Sequence, residues 1–129
     1  ALYADVAERF AADEILAPGT VVELGGSAEI TMVKSDASDR VFGVISTRPA
    51  FTMNGGAGEN DTHPPVAMTG RVPVRVIGPV VKGDSLVTST TPGYAVSVGT
   101  DLNWGQAVFA KALETNLDAG EKTIEAVIL

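Results

Sequence analysis

Beyond Pro18 the apolar positions fall in short, β-branched runs that often alternate with polar residues, and Gly, Pro, Asn and Asp cut the runs apart. Thr20-Val21-Val22-Glu23-Leu24 reads as a strand, with Gly25-Gly26 as its turn. Glu29 to Lys34 alternates polar and apolar, as a half-buried strand does. Ser35 to Asp39 is a polar turn, and Arg40 to Ser46 is an apolar run fit for a central strand. Gly43 within that run predicts a bulge or a close backbone approach. Residues 54–65 are rich in Gly, Asn, Asp and Pro and predict an exposed loop. Strands resume at Val66 to Thr69 and at Arg71 to Val76. The second alternates strictly, with arginines on one face and valines on the other. Pro73 cannot donate a ladder hydrogen bond, which predicts an edge or a bulge for this strand. Asp84 to Thr88, Tyr94 to Val98, Gln106 to Glu114 and Lys122 to Leu129 complete the series.

Residues 5–16 have a different texture. Ala, Glu, Arg and Leu favour helix and Asp5 is a candidate cap, while Pro18-Gly19 stops whatever precedes it. The expectation is an N-terminal arm or short helix over 1–17, followed by a single β domain over 18–129. The fold class is mainly β: a small compact β-barrel or β-sandwich of short antiparallel strands. An internal echo supports a barrel. A Gly-turn opens the strands near Val21 and near Ser85, and a second apolar strand returns near Val41 and near Val108. Two such units would hide their edges in a closed or nearly closed barrel.

Composition narrows the function. The chain has 129 residues and a formal net charge of −7. Phosphate-backbone binding needs clustered Lys and Arg, so nucleic acid and an anionic membrane surface are not expected partners. No apolar run is long enough to span a bilayer. Without cysteine, disulfides and thiolate metal sites are excluded. Mean hydropathy is +0.21, which fits either many Val-rich strands or a core plus a buried subunit interface. The chain opens at Ala1 rather than Met, which fits loss of upstream residues.

Few residues carry candidate chemistry. Glu59, Asp61 and His63 alternate in the 54–65 loop and could face one divalent cation or a ligand; a solvated loop tip is the alternative. His63 is the sole histidine, so no His-based triad partner accompanies it elsewhere. Gly55-Gly56-Ala57-Gly58 lacks the Lys-Ser or Lys-Thr of a phosphate cradle, and no cofactor is expected. Trp104 is a candidate sugar-stacking platform, or else a core residue. Arg71 and Arg75 could pair with Glu23 or Glu29 of the same or a neighbouring subunit.

The ordered set of Tyr3 to Phe10, Pro18 to Val22, Val41 to Thr47, Thr69 to Val74, Val81 to Val87, Thr91 to Ala95 and Ala110 to Glu114 resembles the C-terminal domain of phage virion proteins. It is similar in particular to cyanophage tail-fibre-like proteins, and the resemblance covers nearly the whole chain. It implies a structural module of a tail fibre or appendage in the virion, a homotrimer, and other virion proteins as partners. The N-terminal block is also similar to the self-cleaving intramolecular-chaperone domain of phage neck appendages. Ala4, Asp5, Ala7, Glu8 and Phe10 match that motif, and Tyr3 stands where it has Ser. That likeness implies Asp5 and Glu8 as catalytic carboxyls if the chain cuts itself, with a helix cap and a first-turn acidic residue as their alternative roles. A host-surface glycan-binding module is the third reading.

Overall fold

The strict alternation of Val72, Val74 and Val76 with Arg71, Pro73 and Arg75 builds the strand around which the fold is organised. A computed structural model describes residues 4–129. Its strands are β1 (Asp5–Arg9), β2 (Val21–Leu24), β3 (Ile30–Met32), β4 (Val41–Ile45), β5 (Phe51–Met53), β6 (Pro65–Ile77), β7 (Ser85–Thr88), β8 (Ala95–Ser97), β9 (Ala110–Ala112) and β10 (Glu121–Ile128). A 3₁₀ helix spans Leu102–Ala107. The protein is mainly β, as the pattern predicts.

Five strands close a barrel. β10 pairs antiparallel with β6 and with β9, β9 with β7, and β7 with β8. β8 returns to β6 in parallel through Val76 and Ala95. A barrel this small has room only for side chains. Ile124 faces Val74 and Ala126 faces both Val72 and Ala112 across the ladders, and all are buried. Mixing Ala with Val and Ile fills a narrow, tapering interior without overpacking.

The remaining strands extend from the first half of β6. β4 pairs with it at Ala67 and Val66, β2 pairs β4, and β3 pairs β2. β1 also lies antiparallel on β6 and carries β5 in parallel. The barrel core continues into this extension through Val21, Val33, Val44 and Ala67. A second cluster, Leu16, Val22, Ile30, Ile45 and Val66, lies against Phe10, Ala12, Met32 and Phe42. Phe10 meets Phe42 edge-on, with ring centroids 4.9 Å apart.

Four sequence expectations need correction. Asp5–Arg9 is a strand, not the start of a helix, because β5 and β6 give it ladder partners and its alternation buries Asp5 and Ala7. Tertiary pairing overrides the helix propensity of this segment. Second, Val66 to Thr69 and Arg71 to Val76 are one strand at the centre of the sheet, not an edge strand. The N–H of Arg71 reaches the Ala4 carbonyl and that of Arg75 reaches the Gly19 carbonyl. Pro73 has the same parity, so its missing N–H falls between these two partners and away from β10. Third, Gln106 to Glu114 divides between the 3₁₀ helix and β9. Fourth, the two echoing units do not jointly make the barrel; the second unit closes with β6 and β10.

Gly43 does mark a close approach. A β-carbon there would strike the Ala67 carbonyl oxygen and the Val66 side chain, and the β2–β4 register shifts beside it. Arg71 is exposed, and the Arg75 guanidinium lies 5.6 Å from the Tyr94 ring centroid. Glu23 accepts from the Ser38 hydroxyl and Glu29 from the Ala11 backbone N–H.

Candidate functional site

Asp5 and Ser46 form the most buried polar pair described. The Ser46 hydroxyl donates to Asp5 Oδ2 at 2.7 Å, and each residue is 4% exposed. Asp5 reaches this position because β1 alternates its side chains, sending Asp5 and Ala7 inward. Ser46 follows the last residue of β4, on the buried side of the chain. The main chain reinforces the pair: the Ala50 N–H donates to the Asp5 carbonyl at 2.8 Å. Burial pushes the Asp5 carboxyl above its ordinary value of 3.8, and the hydrogen bond from Ser46 opposes that shift without cancelling it.

Glu8 does not join this pair. The β1–β6 register shifts between Val6 and Ala7, yet burial still alternates along β1 from Asp5 to Glu8, which sets the two carboxyls on opposite faces. Its register partners are Met53 of β5 and Val66 of β6. Two carboxyls so divided do not converge on one peptide bond. Tyr3 lies outside the described residues.

The 54–65 loop is tied down at its C-terminal end. One Arg9 guanidinium nitrogen donates to Asn60 Oδ1 at 2.8 Å and to the His63 carbonyl at 2.7 Å. The Asn54 amide donates to the Arg9 carbonyl, and the Ala12 N–H to the Thr62 carbonyl. His63 is half-buried, its Nδ1 3.0 Å from the Thr62 hydroxyl. Gly58 packs on this ring where a β-carbon would collide with it. Among the described residues no three His, Asp or Glu side chains, Glu59, Asp61 and His63 included, are grouped so as to hold a metal ion.

A cleft of about 240 Å³ opens beside the Asp5–Ser46 pair. Ile15, Leu16 and Pro18 form one wall and Pro64 and Pro65 another. Ser46, Thr47, Asn60 and Asp61 supply its polar groups. Of the sequence candidates only Asp61 lines it. Trp104 is half-buried on the 3₁₀ helix, whose first turn is capped by Asp101 accepting from the Asn103 N–H. Ser46, Thr47 and Asn60 were not singled out by pattern. The available signal was the Ser-Thr pair ending the apolar run of β4, where a hydrophobic residue would continue the buried face. No protein-family model matches the chain, and no curated protein is significantly similar to it.

Proposed function

We propose that the chain is a structural module that associates with copies of itself, terminal on a phage tail fibre or appendage and assembled as a homotrimer. The observation that carries this reading is the open edge at β5. Among the described strands β5 pairs only with β1, yet it exposes Phe51 at 61% and Met53 at 37%. These residues share a face with Val6 and Glu8, the register partners of Phe51 and Met53. An edge strand that carries large apolar side chains, without Lys or Pro to blunt it, invites pairing with another chain. The likeness of nearly the whole chain to phage fibre domains supplies the context, with other virion proteins as further partners. Self-cleavage is the weaker reading, because Asp5 and Glu8 occupy opposite faces of β1.

Light scattering on the purified chain tests the proposal. The expected mass is that of three chains. Replacing Phe51→Ser and Met53→Ser together should give a monomer with an unchanged far-ultraviolet circular dichroism spectrum. A monomeric parent chain, or a trimer indifferent to both substitutions, overturns it.

A further inference from the structure

We infer that Asn54, where β5 passes into the 54–65 loop, is a site of spontaneous deamidation and backbone isomerisation, a covalent change that releases the start of this loop from β1. The inference goes beyond assembly and does not depend on it. Three observations place the reaction at Asn54. The first is the residue that follows. Deamidation begins when the backbone nitrogen of the next residue reaches the Asn Cγ, and a side chain on that residue obstructs the approach. Asn54 is followed by Gly55, whereas Asn60, Asn103 and Asn116 are followed by Asp61, Trp104 and Leu117.

The second is the openness of the turn. The Asn54 carbonyl accepts from the Ala57 N–H, so Gly55 and Gly56 are the central residues of an exposed turn. Apart from chain neighbours, nothing lies within 4 Å of where a β-carbon on either glycine would stand. The Gly55 N–H holds no hydrogen bond among the described residues, so the attacking nitrogen is open to base. The third is the weak hold on the side chain. Among the described residues the Asn54 amide has one partner, the Arg9 carbonyl at 3.2 Å, and that bond is exposed, where water competes for both groups. Asn60 Oδ1, by contrast, is held by the Arg9 guanidinium, and Asn116 Oδ1 by the Asp118 N–H.

Water is the only co-reactant. Solvent base takes the Gly55 amide proton, the nitrogen bonds to Asn54 Cγ, and the Cγ–Nδ2 bond breaks with loss of ammonia, which leaves a succinimide ring. Water then opens the ring. Attack at Cγ leaves aspartate; attack at the former main-chain carbonyl leaves isoaspartate, with an extra methylene in the backbone. Either product carries a carboxylate in place of the amide. A carboxylate cannot donate, so the Arg9 carbonyl loses its partner. The far end of the loop stays fixed, since Arg9 still donates to Asn60 and to the His63 carbonyl.

Mass spectrometry of the full chain held in mildly alkaline buffer is the test, with a synthetic peptide of residues 49–58 as the unfolded reference. Asn54 should gain the mass of an amide turned to a carboxylate before any other asparagine does, and faster as pH rises. Part of the product should be a substrate for an isoaspartate methyltransferase. In the product the Ala57 N–H should exchange faster, while the His63 N–H, bonded to the Glu59 carbonyl, keeps its protection. Gly55→Val places its side chain in open space at a backbone outside the left-handed region, so it should slow the reaction severalfold with the melting temperature unchanged. An Asn54 that stays intact while the reference peptide reacts, earlier reaction at another asparagine, a rate indifferent to Gly55→Val, or a product with Ala57 exchange unchanged would each overturn the inference.

Discussion

The two halves of this protein share a pairing pattern and finish differently. In the first, β2 takes β3 and β4 as antiparallel neighbours; in the second, β7 takes β8 and β9. The second half closes, because β8 meets β6 and the eight-residue β10 runs back along β6 from Ile77 to Gly70. The first half does not. On the side away from β2, β3 is met among the described residues by a bridge from Ala12 to Ile30, and the matching stretch of β6 is taken by β1, which leads to β5 and its free side. Closure depends on what lies beside the three-strand unit, not on the unit itself. The open half holds the buried Asp5–Ser46 pair, the cleft and the exposed strand residues Phe51 and Met53, whereas the large apolar residues that the closed half exposes, Val81, Leu102 and Leu117 among them, lie outside its strands. The closed half exposes little of its strand edges and serves as the frame.

The sharpest way to break this contrast is to damage the frame. Ile124 is 1% exposed and faces Val74 across the β6–β10 ladder. Ile124→Ala should cost about 2–5 kcal/mol, the usual range for such a truncation with its residual cavity. Because Val21, Val33 and Val44 belong to the same cluster as Ile124, the open half should unfold with the barrel in a single urea transition. Two separated transitions would show that the halves are independent units.

A smaller effect should follow at Gly43. The added methyl of Gly43→Ala meets the Ala67 carbonyl and Val66, and neither can swing clear without moving the β4–β6 ladder. Overpacking of this kind costs about 1–3 kcal/mol. Hydrogen exchange should quicken first in β2, β3 and β4 while β10 amides keep their protection. Uniform loss of protection across both halves would mean that the open half is not the softer one.

The alternating strands that line the barrel were legible in sequence, for a physical reason. Val72, Val74, Val76, Ile124, Ala126 and Ile128 alternate because one face of each strand is buried, and period two is what alternation reports. Gly43 was legible as well, since a glycine in an apolar run has few uses other than letting backbones approach. The open half hides its signals. Asp5-Val6-Ala7-Glu8-Arg9 carries helix-favouring residues, and its strand state comes from β5 and β6, one about forty residues away and the other about sixty. The cleft draws on three separate stretches of chain, so no local spacing announces it. Asp61 was noticed as an acidic loop residue, but its neighbours Thr47 and Ser46 meet it only through the fold.

The finest test addresses the carboxyl that pins the open half together. Burial raises the Asp5 value in the folded state above 3.8, near which it titrates when unfolded. Between those two values the folded chain keeps a proton that the unfolded chain has lost. The stabilising contribution is therefore whole below 3.8 and is lost as pH rises through the folded value. Asp5→Asn keeps an acceptor for the Ser46 hydroxyl and removes the charge. Its melting temperature should exceed that of the parent by a few degrees at pH 7, and the gap should narrow as pH falls and close below 3.8. Melting curves across that range read both. If Asp5→Asn instead melts lower at neutral pH, the ionised carboxylate contributes to the fold, and the open half is held by charge rather than by a neutral buried hydrogen bond.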